Sequence, residues 1–239
     1  MLIVPDKINL QSKELGMDCE DKCMDPVHFK NYKKDISYNF NSRGFRDLEW
    51  PNDLENVLWC IGDSYTLGLG QPHDETWPQM LEKKVGKRCL NLGQNGASND
   101  TICLRSIEIS KQFPNSIILI MWTFLNRRRK NNKDIFCDPN NFGDDNDMQN
   151  FADNFLLVKK YIPNAIHTLG PNALTFSDKQ GADVFKYVFT KSKILTVEQI
   201  DTLHFTEQLD LARDGFHLDV KTSNAVANKI AKKLSVIDN

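Results

Sequence analysis

The residues most able to do chemistry in this sequence stand in two short stretches, and the first contains a serine. Ser64 follows an apolar run at residues 57–61 and the pair Gly62-Asp63. This pattern predicts a buried strand that ends in a tight turn, with the serine just beyond the strand. A serine in that place can act as a nucleophile, and its backbone N–H can stabilise a developing oxyanion.

The second stretch, close to the other end of the chain, holds an aspartate and a histidine in Asp214-Gly215-Phe216-His217. A separation of three residues puts both side chains on one side of a turn, so the carboxylate can orient the imidazole. His217 could then take the proton of Ser64 as a general base. The three residues together predict acyl transfer in two steps.

These motifs resemble the SGNH/GDSL hydrolase family of esterases and lipases, in order, type and spacing, from about residue 57 to about residue 234. The resemblance implies a three-layer α/β/α sandwich with a parallel, flavodoxin-like sheet. It implies ester hydrolysis with Ser64, His217 and Asp214 as catalytic residues. It also makes the N–H groups of Ser64 and Gly96, the latter in the block Asn95-Gly96-Ala97-Ser98, the expected oxyanion donors.

A third block departs from the family pattern. Where SGNH hydrolases commonly carry GxND after the third strand, this chain reads Trp122-Thr123-Phe124-Leu125-Asn126-Arg127. Asn126 is the candidate side-chain donor to the oxyanion and Thr123 a substitute, while a plain loop role for both stays open. The altered block leaves slow or absent catalysis as an alternative.

Before the serine, residues 1–55 lack helical periodicity, and we expect them to form an N-terminal extension that packs on a catalytic domain at residues 56–239. The string at residues 41–47, NSRGFRD, resembles a segment that precedes GDS in bacterial and phage-encoded SGNH-like proteins. Its arginines, Arg43 and Arg46, either pair with carboxylates such as Asp47 or Glu49, or one of them lies at the rim of the substrate site.

The chain alternates between strand and helix patterns after residue 57, as in a parallel sheet. Helices are expected around residues 77–85 and 151–162, after a cap at Ser98 or Asp100, and along a final stripe of Val226, Ile230 and Leu234. Strands are expected at residues 88–92, 116–122 and 165–169, with a weaker one at 194–200. The charge run at residues 127–130 indicates a solvated loop or a site that attracts an anionic substrate. The acidic residues Asp144, Asp145 and Asp147 indicate a loop.

Composition narrows the choice of partners and location. The chain has 239 residues and a formal net charge of −2, which argues against nucleic acid as a partner. The opening residues do not resemble a signal peptide, and no long apolar run predicts a membrane span, so we expect a soluble protein made in the cytoplasm. We expect no metal and no cofactor, because Cys19 and Cys23 are spaced unlike a zinc knuckle, although His28 lies nearby. We expect structural roles for His73, His167 and His204.

Three functional hypotheses follow from these motifs and from the departures from the family pattern. The leading hypothesis is a serine esterase for small, acetyl-type acyl groups, with an acylated or anionic carbohydrate as a candidate substrate. The alternative is a non-catalytic SGNH-like module that binds glycans or forms part of a larger assembly, such as a phage particle, where oligomers or virion association would be expected. A lipase or thioesterase for long acyl chains is the third.

Overall fold

The computed structural model describes residues 11–136, 145–169, 202–204 and 208–237. In chain order its strands and α-helices are β1 (Gln11–Ser12), α1 (Pro26–Asn31), β2 (Tyr38–Asn39), β3 (Leu58–Gly62), α2 (Ser64–Leu67), α3 (Trp77–Val85), β4 (Cys89–Gly93), α4 (Asn99–Gln112), β5 (Ile117–Trp122), β6 (Arg127–Lys130), β7 (Lys133–Phe136), α5 (Asp145–Tyr161), β8 (Ile166–Leu169), β9 (Thr202–His204) and α6 (Val220–Ile237). A short 3₁₀ helix, His73–Glu75, precedes α3.

A parallel sheet of five strands forms the centre of the fold, in the order β4-β3-β5-β8-β9. This is the flavodoxin-like order, in which the first sheet strand of the chain lies inside the sheet and the next two flank it. Because all the strands run the same way, the loops after β3, β4 and β5 meet at one edge. The predicted α/β fold class with a parallel, flavodoxin-like sheet is confirmed.

Helices cover both faces of the sheet, which explains why its central strands β3 and β5 are apolar along their whole length. Along β3, Leu58 and Cys60 face one core with α3 and α6, whereas Trp59 and Ile61 face the other with α4 and α5. The sheet is therefore the middle layer of three.

Most of the helices agree with the pattern of the sequence. Helix α3 ends at Gly86, whose φ of 64° provides the left-handed cap that glycine favours. The side chain of Ser98 accepts a hydrogen bond from the N–H of Thr101 and so caps α4, which decides between the two predicted caps. In α6 the expected stripe of Val226, Ile230 and Leu234 is buried.

Two predicted loops are wrong. Residues 127–130 form β6, which pairs with β7 in an antiparallel hairpin. Helix α5 begins at Asp145, well before the predicted start at residue 151, and includes Asp147. The buried carboxylate of Asp147 accepts a hydrogen bond of 2.8 Å from Nε of Arg128. This ion pair between the hairpin and the helix accounts for both differences, because each charged stretch supplies a partner for the other.

Two further expectations concern the segment before the Asp214 turn. The weak strand at residues 194–200 lies outside the described residues. His204, expected in a linker, belongs to β9, which extends the sheet beside β8.

The N-terminal segment contacts the rest of the fold through polar side chains. Arg46 is fully buried and donates to backbone carbonyl oxygens, among them those of Leu67 and Gln71, so its predicted pairing with a carboxylate is wrong. Arg43 lies over the ring of Trp50 at 4.7 Å, in a cation–π contact. The proposed boundary between residues 55 and 56 stays a prediction.

The cysteines Cys60, Cys89 and Cys103 are buried free thiols, as expected of small hydrophobic residues. Burial raises the pKa of Cys103 to about 12, so this thiol stays protonated. Among the helices in the described part of the chain, none is long and apolar enough to cross a membrane.

His167 is a buried histidine in β8 that packs among aromatic side chains, in keeping with its expected structural role. Its Nδ1 accepts a hydrogen bond of 3.1 Å from the indole N–H of Trp122, and its ring lies 4.6 Å from that of Phe155. Burial, together with the charge of Lys159, lowers the pKa of His167 to about 3. The folded protein therefore holds a neutral imidazole under ordinary conditions.

Acid should destabilise the wild type more than His167→Gln, whose amide oxygen can still accept from Trp122. The folded-state pKa lies below the unfolded value, so stability is intact above about pH 6.5 and falls below it. The unfolded chain then gains about 1.4 kcal/mol per pH unit, or about 2 kcal/mol by pH 5. Urea unfolding of both proteins above about pH 6.5 and at about pH 5 measures this difference. An equal loss of unfolding free energy in both proteins at the lower pH would contradict it.

Candidate active site

The turn that presents Ser64 is built by the aspartate before it. Asp63 follows β3, and its side chain accepts a hydrogen bond of 3.0 Å from the N–H of Tyr65, which caps the first turn of α2. This helix is only four residues long and ends at Gly68. Ser64 thus lies at the first position of a short helix, at the edge where the loops after the parallel strands meet.

Two glycines allow α2 to rest directly on the strand ends. A Cβ on Gly93, the last residue of β4, would lie 2.0 Å from the backbone nitrogen of Leu67. A Cβ on Gly62, at the end of β3, would lie 2.1 Å from Oγ1 of Thr66. No side chain fits at either place. Glycine at these two positions therefore lets the helix that carries Ser64 approach the sheet closely.

The predicted acid and base meet the serine directly. Nε2 of His217 lies 2.8 Å from Oγ of Ser64, and Nδ1 of His217 lies 2.5 Å from Oδ2 of Asp214. The other carboxylate oxygen of Asp214 accepts backbone N–H bonds from Phe216 and His217, each of 3.0 Å. The three side chains that the sequence singled out therefore form one continuous chain of hydrogen bonds.

The electrostatics of the aspartate suit this arrangement. Burial alone would raise the pKa of Asp214, but its hydrogen bonds and charge interaction with His217, aided by the N–H of Phe216, hold that pKa below its ordinary value. Asp214 is therefore a carboxylate near neutral pH. It favours the imidazole tautomer with its proton on Nδ1, which leaves Nε2 free to accept the proton of Ser64.

Aromatic rings line one side of the histidine. The ring centroids of Tyr65 and Phe216 lie 5.0 Å and 5.1 Å from that of His217, and Phe124 stacks on Phe216 at 6.3 Å. Their apolar surface keeps water from that side of the imidazole, which strengthens the hydrogen bonds on the other.

The loop that carries Gly96 is held by the β6–β7 hairpin. Gly96 lies in the turn after β4 with a φ of 75°, a conformation that glycine adopts without strain. Just beyond it, the backbone N–H and the hydroxyl of Ser98 both donate to Asp134 of β7, as does the hydroxyl of Thr101. One carboxylate thus fixes the start of α4 and the turn before it.

The altered third block supports the nucleophile turn. The hydroxyl of Thr123 donates to Oδ2 of Asp63 at 2.5 Å, and Nη1 of Arg127 donates to the same oxygen at 2.7 Å. The hydroxyl of Thr123 is therefore engaged with Asp63, which leaves Asn126 as the stronger of the two candidate oxyanion donors. Asn126 is buried in the turn between β5 and β6, at the same edge of the sheet as Ser64 and Gly96.

Sequence reasoning missed this buried ion pair because Arg127 opens a run of four basic residues that looks like solvated surface. It also missed Asn99, whose side-chain oxygen accepts from the N–H of Thr123 and whose amide donates to the carbonyl of Phe124. One signal was available for the ion pair: a buried Asp63 needs a compensating cation.

The other candidates lie apart from this site. Nε2 of His28 is 3.0 Å from the carbonyl oxygen of Ala212, and the thiols of Cys19 and Cys23 donate to carbonyl oxygens of their own turn. His73 belongs to the 3₁₀ helix before α3. Across the described ranges, no group of three or more metal-ligating side chains is placed to hold an ion.

Comparison with solved structures identifies the fold. A protein of the G-D-S-L family from Desulfitobacterium hafniense DCB-2 superposes with a TM-score of 0.50 and 15% identity, over 74% of this chain and 98% of its own. A family two carbohydrate esterase from Clostridium thermocellum, solved in complex with cellohexaose, superposes with a TM-score of 0.53 and 14% identity, over 78% of this chain and 66% of its own. The chain has the SGNH hydrolase fold.

The predicted resemblance to SGNH/GDSL hydrolases is thus confirmed at the level of the fold. No protein-family model and no curated protein matches the chain. At this low identity the superposed SGNH structures show the fold alone, so the chemistry has to be argued from the site itself.

Removing the hydroxyl of Thr123 should lower the free energy of unfolding more than removing another buried threonine hydroxyl. Thr123→Val deletes the hydrogen bond to the Asp63 carboxylate and a bond of 3.0 Å accepted from Nη1 of Arg127, and it should lower the free energy of unfolding by about 2 kcal/mol. The matched control is Thr168→Val, which deletes a bond of 2.9 Å to the carbonyl of Ile120 and should cost about 1 kcal/mol. Urea denaturation compares the two variants, and equal losses would show that the bond to Asp63 adds nothing special.

Proposed function

We propose that the protein is a serine esterase that hydrolyses small, acetyl-type esters through a covalent acyl-enzyme. The observation that carries this proposal is the contact of 2.8 Å between Nε2 of His217 and Oγ of Ser64, made by a histidine whose other nitrogen meets Asp214. A nucleophile, a base and a group that orients the base are the parts that this chemistry requires.

In the first step of the proposed reaction, Oγ of Ser64 attacks the ester carbonyl carbon while its proton moves to Nε2 of His217. The tetrahedral intermediate collapses as His217 gives that proton to the departing alcohol, which leaves the acyl group on the serine. In the second step a water molecule loses a proton to His217 and attacks the acyl carbon. Collapse returns the proton to Ser64 and releases the acid, while Asp214 stays ionised throughout.

The negative oxygen of each intermediate needs donors, and we assign the N–H groups of Ser64 and Gly96 and the side-chain amide of Asn126. These groups come from the turns after three neighbouring strands, β3, β4 and β5, which end at one edge of the sheet. Asp63 accepts a hydrogen bond from Arg127 of the hairpin, which supports the turn of Ser64. Asp134 of the hairpin accepts a hydrogen bond from Ser98, which supports the turn of Gly96.

For the substrate we propose a short acyl group on a carbohydrate. The mutual packing of Tyr65, Phe124 and Phe216 beside His217 fills space that a long acyl chain would need. The similarity in fold to a carbohydrate esterase supports the alcohol half of the ester only by analogy. Because Arg127 and Arg128 are paired with buried carboxylates, we favour a neutral carbohydrate over an anionic one.

One observation favours the second candidate function, a module that binds glycans or assembles into a larger particle without catalysis. The residues Ser64 and His217 are almost fully covered, with exposures of 1% and 2% for the whole residue. A covered site of this kind would keep its hydrogen bonds but would not bind or hydrolyse a substrate. The chemical reactivity of Ser64 therefore distinguishes the two functions.

An activity-based probe decides between the two functions without knowledge of the natural substrate. Wild-type protein treated with a fluorophosphonate should gain the mass of one adduct, because an activated serine attacks phosphorus as it attacks a carbonyl. Ser64→Ala removes the nucleophile and His217→Ala the base, so neither should gain mass. Intact-protein mass spectrometry measures this, and an unlabelled, folded wild type would favour the binding module.

The acyl group is tested with p-nitrophenyl esters of increasing chain length. We expect kcat/KM to fall by at least about 10-fold from acetate to octanoate, because the packed rings of Tyr65, Phe124 and Phe216 beside His217 disfavour the longer chain. The rate of Ser64→Ala with each ester gives the background to subtract. A kcat/KM that rises with chain length would instead indicate a lipase or thioesterase.

A further inference from the structure

We propose that Asp18 and Tyr38, in the N-terminal segment, are positioning residues of this esterase site. They hold the acid–base turn, residues 214–217, against the segment that follows the nucleophile, residues 67–71. This inference rests on the proposed function, and it assigns a catalytic contribution to a part of the chain that lies outside the two motifs.

The first element is a buried ion pair beside the catalytic acid. Asp18 is fully buried, and its two carboxylate oxygens accept hydrogen bonds of 2.8 Å and 2.7 Å from Nε and Nη2 of Arg213. A fork of two parallel bonds fixes a guanidinium in direction as well as in distance. Because Arg213 immediately precedes Asp214, this fork also restrains the backbone that carries the catalytic carboxylate.

The second element joins that ion pair to the nucleophile side of the site. The hydroxyl of Tyr38 donates to Asp18 at 2.6 Å and accepts from the N–H of Gly70 at 2.8 Å. The carbonyl of Gly70 in turn accepts from the N–H of Arg213 at 2.8 Å. Asp18, Tyr38, Gly70 and Arg213 thus close a ring of hydrogen bonds, which we call the Asp18 ring.

Close packing makes the Asp18 ring a direct link between the two turns. Gly70 has a φ of 76°, and a Cβ there would lie 2.9 Å from Cβ of Ala212 and 3.3 Å from Cγ of Asp214. On its other side the segment is tied to the serine, because the N–H of Leu69 donates to the carbonyl of Ser64 at 3.0 Å. The ring is therefore joined to Ser64 through Leu69 and is next to Asp214 in the chain through Arg213.

Other parts of the N-terminal segment reinforce the same two turns. The N–H of Met24 donates to the carbonyl of Asp214 at 2.8 Å. Arg46, from the NSRGFRD string, donates to the carbonyl oxygens of Leu67, Gly68 and Gln71. The segment thus holds both the acid–base turn and the residues after the nucleophile.

The charges in the Asp18 ring are mutually satisfied. Burial, and then the charge of Asp18, raises the pKa of Tyr38 well above its ordinary value, so the phenol keeps its proton and can donate. Burial by itself would lower the pKa of Arg213, but the bond to Asp18 raises it overall, so the guanidinium stays charged.

Positioning matters because Ser64 and His217 are 153 residues apart in sequence and meet through a single hydrogen bond. A misplacement of about 1 Å between reacting groups can cost about 100-fold in rate. Removing the Tyr38 hydroxyl, which makes two of the bonds of the Asp18 ring, should therefore slow the chemical step without changing how the site is lined.

The test compares two tyrosine variants that each remove one hydroxyl bound to a carboxylate. Tyr38→Phe opens the Asp18 ring, whereas the matched control Tyr32→Phe removes a bond of 3.0 Å to Asp219, which the ring does not include. In Tyr38→Phe the limiting rate of fluorophosphonate labelling should fall by at least about 10-fold at an unchanged half-saturating concentration. The control should stay within about 2-fold of the wild type.

A second readout follows the triad without any reaction. The proton between Nδ1 of His217 and Asp214 gives a low-field NMR resonance that is visible while the bond shelters it from water. We expect this resonance in the wild type and in Tyr32→Phe, and its broadening or loss in Tyr38→Phe, at a temperature where all three proteins are folded. If Tyr38→Phe does not fold, Arg213→Lys takes its place, because it keeps the charge and loses the fork.

The outcomes separate this inference from the proposed function. Labelling and resonance equal to the wild type in Tyr38→Phe would overturn the positioning role while leaving the esterase intact. A wild type that takes no probe would overturn the esterase, and the resonance alone would then decide whether the Asp18 ring orders the acid–base turn. Equal losses in both tyrosine variants would show a general effect of destabilisation, and would also overturn the inference.

Discussion

The buried carboxylate of Asp63 is the constraint on which the site depends. A charge with no exposure to water must be paired or it destabilises the fold by several kcal/mol. Here the partners are Arg127 and Thr123, which come from beyond β5, so the chain after that strand has to turn back over the nucleophile. The hairpin of β6 and β7 follows from that turn, and it brings Asp134 to the loop that carries Gly96.

The N-terminal segment contains a second buried carboxylate with the same requirement for a partner. Asp18, like Asp63, is a buried carboxylate whose cation is supplied from far along the chain. In both cases the ion pair lies immediately beside a member of the triad. The parallel sheet brings the loops to one edge, but these polar contacts fix the loops against one another, because apolar packing alone is not directional.

Periodicity was sufficient for the alternation of strands and helices, since continuous apolar runs and a 3.6-residue stripe have few other solutions. The flavodoxin-like arrangement of the sheet was implied by the family resemblance, and the edge strand β9 was not predicted at its observed position. The contacts among Ser64, His217 and Asp214 could be predicted because these residues stand in short motifs. The roles of Arg127, Asp134 and Asp18 could not, because a charged residue looks solvated until its partner is known, and each partner lies in another element. An ion pair between residues far apart in the chain produces no periodic pattern that a single sequence could reveal.

The Asp18 ring also has a consequence for the order of events during synthesis. Asp18 precedes Arg213 by 195 residues, so a nascent chain carries the carboxylate without its cation until the strands between them have been translated. Contacts of such long range form late in folding, because the loop between them must close first. The final arrangement of the acid–base turn is therefore unavailable until Arg213 has been made and has met Asp18.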